Sequence, residues 1–149
     1  MDSEAAPLGA LKVDMDEEEK LRKRQQFAET VAFDKRVAEA TRIREKHPDR
    51  VPVICERAPR THLMEIEKKK FLVPGTMLCG EFKYIVHKHI NQVTMEQGNG
   101  LRADQTIYLF CGNKTPKTGA TMAEIYENYR AEDGFLYIKY SAENTLGCT

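Results

Sequence analysis

The sequence predicts a single α+β domain: two leading helices, then a four-stranded mixed sheet with two further helices packed on it. Three observations carry that prediction. Two stretches before residue 47 repeat apolar residues at helical spacing. Four short runs further on are rich in branched and aromatic residues, several alternating with a period of two. Two more helical stretches separate those runs. At 149 residues the chain is long enough for one domain with a real core and short for two.

Taken in order, residues 1–16 lack periodicity and include Pro7 and Gly9, which suits a weakly ordered extension. From Asp16 the run DEEEKLRKRQQFAETVAF places acids in a first helical turn and bases after them, matching the helix dipole. A second helix is expected from Asp34, as its N-cap, to Lys46, with Phe33, Val37, Ala40 and Ile43 on one stripe and His47-Pro48-Asp49 ending it. The strand Arg50–Arg57 follows, with Val51, Val53 and Cys55 on one side. Its Pro52 cannot donate to a ladder, so that missing donor must face away from a partner strand or sit at a bulge. KKKFLVPG (Lys68–Gly75) reads as a short strand stopped by Pro74-Gly75, and forms a hairpin with the first strand through a long connection.

Leu78–Asn91 puts Phe82, Ile85, Val86, His89 and Ile90 on one helical face, and Gln92–Gly100 reads as a loop. Gln105–Gly112 is a strand. Thr121-Met122-Ala123-Glu124 is a capping box opening a short helix, with Met122, Ile125, Tyr126 and Tyr129 inward. Gly134 precedes the last strand, Phe135–Tyr140, where Leu136, Ile138 and Tyr140 point one way and Phe135, Tyr137 and Lys139 the other. The order αα-β-β-α-β-α-β ends in the six elements of a β-grasp. Right-handed crossovers would place the last strand beside the first and parallel to it. Lys70–Val73 is then left at an edge, open to a partner strand.

Composition narrows the function. Hydrophobic residues make up 41% and charged residues 31%, as in a soluble globular protein. No run approaches the roughly 18 apolar residues of a membrane span, and the acidic N-terminus is no secretory signal. Cys55, Cys79, Cys111 and Cys148 lack the spacing of a disulfide framework, which points to a reducing, cytoplasmic setting. Net charge is zero by cancellation: residues 1–19 carry one Lys against seven acids, and residues 20–70 carry fifteen Lys and Arg against eight acids. A basic middle favours acidic partners.

At RIREKHPDRVPVICERAP, KKKFLVPG and EDGFLYIKYS the chain resembles the ubiquitin-like modifiers of autophagy, the family of the GABA receptor-associated protein and the light chain 3 proteins. The resemblance covers roughly Phe33 to Gly147. It implies a ubiquitin-like β-grasp with two additional N-terminal helices, and a domain plan of a flexible acidic extension at 1–19, the ubiquitin-like body at 20–140 and a flexible tail at 141–149. It also implies that a cysteine protease trims the chain to a C-terminal glycine. E1-like and E2-like enzymes then carry that glycine as a thioester, and it ends in an amide bond to phosphatidylethanolamine on the autophagosome membrane. Gly147 matches the conjugated glycine, with Cys148 and Thr149 removed. Glycine suits narrow enzyme channels in which a Cβ would clash.

The resemblance also implies a groove for cargo receptors, whose motif of an aromatic, two spacers and an aliphatic residue adds as a strand along Lys70–Val73. The aromatic pocket maps to Glu39, Ile43, Pro52, Lys70, Leu72 and Phe135. The aliphatic pocket maps to Phe71, Val73, Pro74, Met77, Phe82, Ile85 and Val86, with Phe82, Ile85 and Val86 serving the core as well. Arg50, Lys68 and Lys69 would meet acidic flanks of the motif. The chain departs from the family pattern in the Gln92–Gly100 loop, in the extension before Lys20, and at His89, where several members have Arg.

Other chemistry finds no support. His87 and His89 lie about 200° apart on a helix and cannot share a metal there. There is no CxxC, and the cysteines read as small apolar residues. Gly98 and Gly100 lack the strand–helix context of a dinucleotide loop, and Cys148 is too near the end for prenylation. No enzyme activity, metal, cofactor or nucleic-acid partner is expected. The alternative reading is a non-conjugated module that docks peptides or microtubules.

Overall fold

The computed structural model describes residues 26–96 and 106–143. The chain divides after Ala32 into two units. In the first, α1 (Phe27–Thr30) is a single turn. Gln26 before it is extended, at φ −74° and ψ 150°, and its amide donates to Glu29 Oε1 at 2.9 Å. The helix expected from Asp16 falls in its first part, residues 16–25, outside the described residues; within them Gln26 is extended, the capping box starts the helix at Phe27, and extended backbone at Val31 ends it.

The second unit holds the sheet. Its elements are α2 (Phe33–Lys46), β1 (Arg50–Arg57), β2 (Lys70–Pro74), α3 (Cys79–Glu96), β3 (Tyr108–Phe110), α4 (Met122–Tyr129) and β4 (Leu136–Ser141). The strand order is β2-β1-β4-β3. β1 pairs antiparallel with β2, with Val53 opposite Phe71, and parallel with β4, with Val53 opposite Leu136. β4 pairs antiparallel with β3. The last strand is thus central and β2 is an edge, as the crossover rule requires.

Several boundaries move. α2 begins at Phe33, so Asp34 lies in its first turn, where Asp34 Oδ1 accepts from the Lys35 amide at 2.9 Å. The strand expected over Lys68–Gly75 is trimmed to Lys70–Pro74, and the one over Gln105–Gly112 to three residues. α3 runs through Gln92 to Glu96, because nothing from Gln92 to Glu96 breaks a helix and the first glycine is Gly98. Thr121 caps α4 as expected, its hydroxyl accepting from the Glu124 amide at 3.2 Å. Tyr129 shares the buried stripe of α4 by spacing, yet it is the last helical residue and stays 38% exposed.

β1 is buried along nearly its whole length rather than on one side. Val51, Val53 and Cys55 join the main core with Phe71, Val73, Phe82, Val86, Ile90, Leu136, Ile138 and Tyr140. Ile54, on the other face, is buried as well, since α2 packs against β1 there. Pro52 causes no gap. The Cys55 amide donates to Lys69 O at 2.8 Å, so odd-numbered amides of β1 face β2 and even-numbered ones face β4. The ladder with β4 begins only at Val53, one residue beyond the missing donor.

Gly134 has φ +96°, and a Cβ on it would come within 3.0 Å of Ala40 Cβ. Glycine therefore lets the turn before β4 meet α2 closely. The long β1–β2 connection is tied down by Tyr140, whose hydroxyl donates to Met64 O at 2.7 Å and accepts from the Ile66 amide at 3.0 Å. Tyr140→Phe strands both backbone groups in a buried site and is expected to cost about 1–3 kcal/mol in urea unfolding; an unchanged midpoint would show that the hydroxyl does not hold the connection.

Candidate functional site

β2 pairs on one side only, with β1, and among the described residues no strand takes its other edge. Period two sorts its side chains onto two faces. Leu72 lies opposite Pro52 and Lys70 opposite Ile54, on the α2 face. Phe71 lies opposite Val53 and Val73 opposite Val51, on the α3 face. Lys70 is exposed, Leu72 and Pro74 are half-buried, and Phe71 and Val73 are buried.

On the α2 face, Lys70 Nζ meets Glu39 Oε2 at 2.7 Å, a bridge from helix to strand. Ile43 stands one turn further along α2 and is half-buried, while Pro52 and Phe135 are buried. Arg50 Nη1 donates to Leu72 O at 3.4 Å, and Arg44 Nη1 donates to Arg50 O at 3.0 Å.

On the α3 face, Phe71 packs edge-on against Phe82, ring centres 5.4 Å apart. Phe82 and Val86 are fully buried and belong to the core. Met77 and Ile85 are partly buried and pack against that core, so with Pro74 they form the accessible part of this wall. The Lys68 ammonium lies 5.0 Å from the Phe71 ring centre, and Lys69 Nζ meets Glu65 at 3.3 Å. One open strand edge therefore has half-buried apolar side chains on either face and Arg50, Lys68, Lys69 and Lys70 around it.

One cluster escaped the sequence reading. Arg36 Nη1 contacts Asp133 Oδ2 at 2.8 Å and donates to the Tyr137 hydroxyl at 3.3 Å. That hydroxyl donates in turn to Asp133, whose Oδ1 accepts from the Phe135 amide at 2.9 Å. Burial first, then the Asp133 bond, pushes the Tyr137 phenol well above its ordinary range. The cluster ties α2 to Phe135 and β4. Asp133-Gly134 is a turn signal in sequence, but nothing local names Arg36 as its partner.

At the other end of β4, the Ala142 amide donates to Thr61 Oγ1 at 3.0 Å, which fastens the point where the chain leaves the sheet. Gly147 and Cys148 lie outside the described residues. Among the described residues no group of His, Cys, Asp or Glu could hold a metal, and no helix is long and apolar enough to cross a membrane.

The family model "Autophagy protein Atg8 ubiquitin like" matches residues 35–147. The chain belongs to the Atg8 family. It is 46% identical over 124 residues to autophagy-related protein 8 of Mycosarcoma maydis, covering 83% of this chain and 98% of that protein. With autophagy-related protein 8e of Arabidopsis thaliana it shares 47% identity, covering 78% and 88%. A solved structure of Plasmodium falciparum Atg8 in complex with a P. falciparum Atg3 peptide superposes with a TM-score of 0.71 at 52% identity, covering 80% of this chain and 97% of that one. Trypanosoma brucei ATG8 superposes at 0.69 and 33% identity, covering 78% and 93%. As an Atg8-family protein the chain is an autophagy-related ubiquitin-like modifier, and its α+β sheet is the ubiquitin-like fold.

Its three described cysteines are buried and unpaired. Burial pushes the Cys111 thiol up to about 12, with Cys79 adding to the shift, and raises Cys55 and Cys79 too. A raised thiol pKa leaves little thiolate at neutral pH. At pH 8, peptide-mapped alkylation of Cys55, Cys79 and Cys111 should run about 100-fold or more slower in the native protein than in denaturant; a native rate within about tenfold of the denatured one at any of them would contradict this burial.

Proposed function

We propose that this Atg8-family protein is trimmed by a cysteine protease after Gly147, carried as a thioester by E1-like and E2-like enzymes, and joined through Gly147 to phosphatidylethanolamine. In that form it sits on the autophagosome membrane; otherwise it is cytoplasmic. It acts there in membrane formation and as an adaptor for cargo receptors bearing an aromatic-x-x-aliphatic motif. The observation that carries the adaptor role is the open edge of β2 with half-buried apolar side chains on both of its faces, since an unpaired strand edge is a template for an added strand. The family match through residue 147 supports the conjugation role, with glycine at that position. The Plasmodium relative solved with an Atg3 peptide supports a partner in the conjugation pathway.

In this reading the docked motif drops its aromatic residue against Ile43, Leu72, Pro52 and Phe135, beside the Lys70–Glu39 bridge. Its aliphatic residue meets Pro74, Met77 and Ile85 above Phe71 and Val73. Phe82 and Val86 support that wall from the core. Arg50, Lys68 and Lys69 attract acidic flanks, which speeds encounter more than it holds the complex.

Two experiments test the two halves separately. Gly147→Ala should abolish the lipidated form in cells, read by intact mass spectrometry, and remove the membrane-bound pool; an undiminished pool would mean that conjugation is the wrong mechanism and that a non-conjugated docking module is the better description. Lys70→Ala combined with Leu72→Ala should weaken an aromatic-x-x-aliphatic peptide by about 1–3 kcal/mol in calorimetry. Unchanged affinity would move the peptide site away from β2.

A further inference from the structure

His89 stands one turn beyond Ile85 on α3 and is partly exposed. Its ring meets Phe71 edge-on, 5.5 Å between centres and 76° between planes. The Lys68 ammonium approaches the same Phe71 ring at 5.0 Å. A titratable ring thus stands at the Phe71 end of the aliphatic wall, beside the basic rim. The charged groups that bear on it, among the described residues, are Lys68 from the segment preceding β2 and Lys88 on its own helix. From β2 it meets the uncharged Phe71. Lys69 is directed to Glu65. Burial, with Lys68 and Lys88, holds the imidazole below its ordinary range, so it is neutral near pH 7.

What this ring would face rests on the reading of β2 as the docking edge. The aromatic pocket centres on Lys70 and Leu72, and the aliphatic one extends to Pro74 and Met77. A docked strand therefore runs in the same direction as β2. Period two puts its first spacer on the same face as the aliphatic anchor, two residues or about 6.6 Å back towards Phe71. We propose that His89 is the specificity-determining residue for that first spacer, donating a hydrogen bond to an acidic side chain there when protonated.

A carboxylate in the complex favours the imidazolium, so binding of an acidic spacer takes up a proton. The folded, bound pKa is raised relative to the free groove. The gain is full below the free-groove pKa and is lost as pH rises through the bound one. Neutral His89 offers that spacer no charge.

The test uses the full chain and two peptides that differ only at the first spacer, Glu or Gln, titrated by fluorescence anisotropy from pH 8.0 to 5.5. The preference for Glu over Gln should grow about three- to tenfold as pH falls, corresponding to a shift of up to about one pKa unit. His89→Gln should leave the preference low and flat, His89→Arg should hold it high at every pH, and His87→Gln should behave as the parent protein. A flat ratio in the parent, or the same pH dependence in His89→Gln, overturns the assignment. The Gln peptide at pH 8.0 separates this from the docking reading. If that peptide binds and Leu72→Ala weakens it, a flat ratio removes only the role of His89. If it does not bind, or ignores Leu72→Ala, the docking reading falls and the role of His89 with it.

Discussion

The rest of the fold depends on the parallel pairing of β1 and β4. Five residue pairs, from Val53–Leu136 to Arg57–Tyr140, join the first strand to the last. Ile54, Cys55, Leu136, Ile138 and Tyr140 within that ladder are fully buried. Parallel neighbours cannot be joined by a tight turn, so every intervening element is part of one long crossover. With β4 occupying one side of β1, β2 has only the other side available, and its far edge is left open. The same pairing fixes where the chain leaves the sheet, beyond Ser141 and against Thr61.

A second constraint acts through charge. Asp133 is 2% exposed, and a buried carboxylate is tolerated only when paired and hydrogen-bonded. Arg36, Tyr137 and the Phe135 amide meet that need together. The cluster therefore spans α2, the turn at Gly134 and β4. Close contact between Gly134 and Ala40 brings the same surfaces together sterically. α2 is thus held to the turn before β4 both by buried polar groups and by close packing.

The sequence made some of this legible and hid the rest for physical reasons. Arg50–Arg57 was readable to the residue, because His47-Pro48-Asp49 before it and Ala58-Pro59 after it interrupt regular structure. Its burial on both faces was not: alternation reports one covered face, and Ile54 lies buried on the other, the face where Lys70 opposite it bridges to α2. The edge position of β2 followed from crossover handedness alone. The extension of α3 to Glu96 was missed because a polar run such as QVTME has no amphipathic signal, although nothing in it breaks a helix. The pocket residues came from family resemblance; periodicity could assign their faces but not their partners. Arg36 and Asp133 lie 97 positions apart, a separation that local pattern does not reach.

The placement of β4 has a mechanical side. A chain gripped at its C-terminal end and restrained along the far edge of β2 carries tension from β4 across β1. In the parallel ladder between them the hydrogen bonds lie side by side across the direction of pull, so they share the load rather than opening one after another. Tyr140 and Thr61 brace the end where that load would enter. An antiparallel terminal hairpin pulled from its open end would peel; a central parallel strand must be sheared out whole.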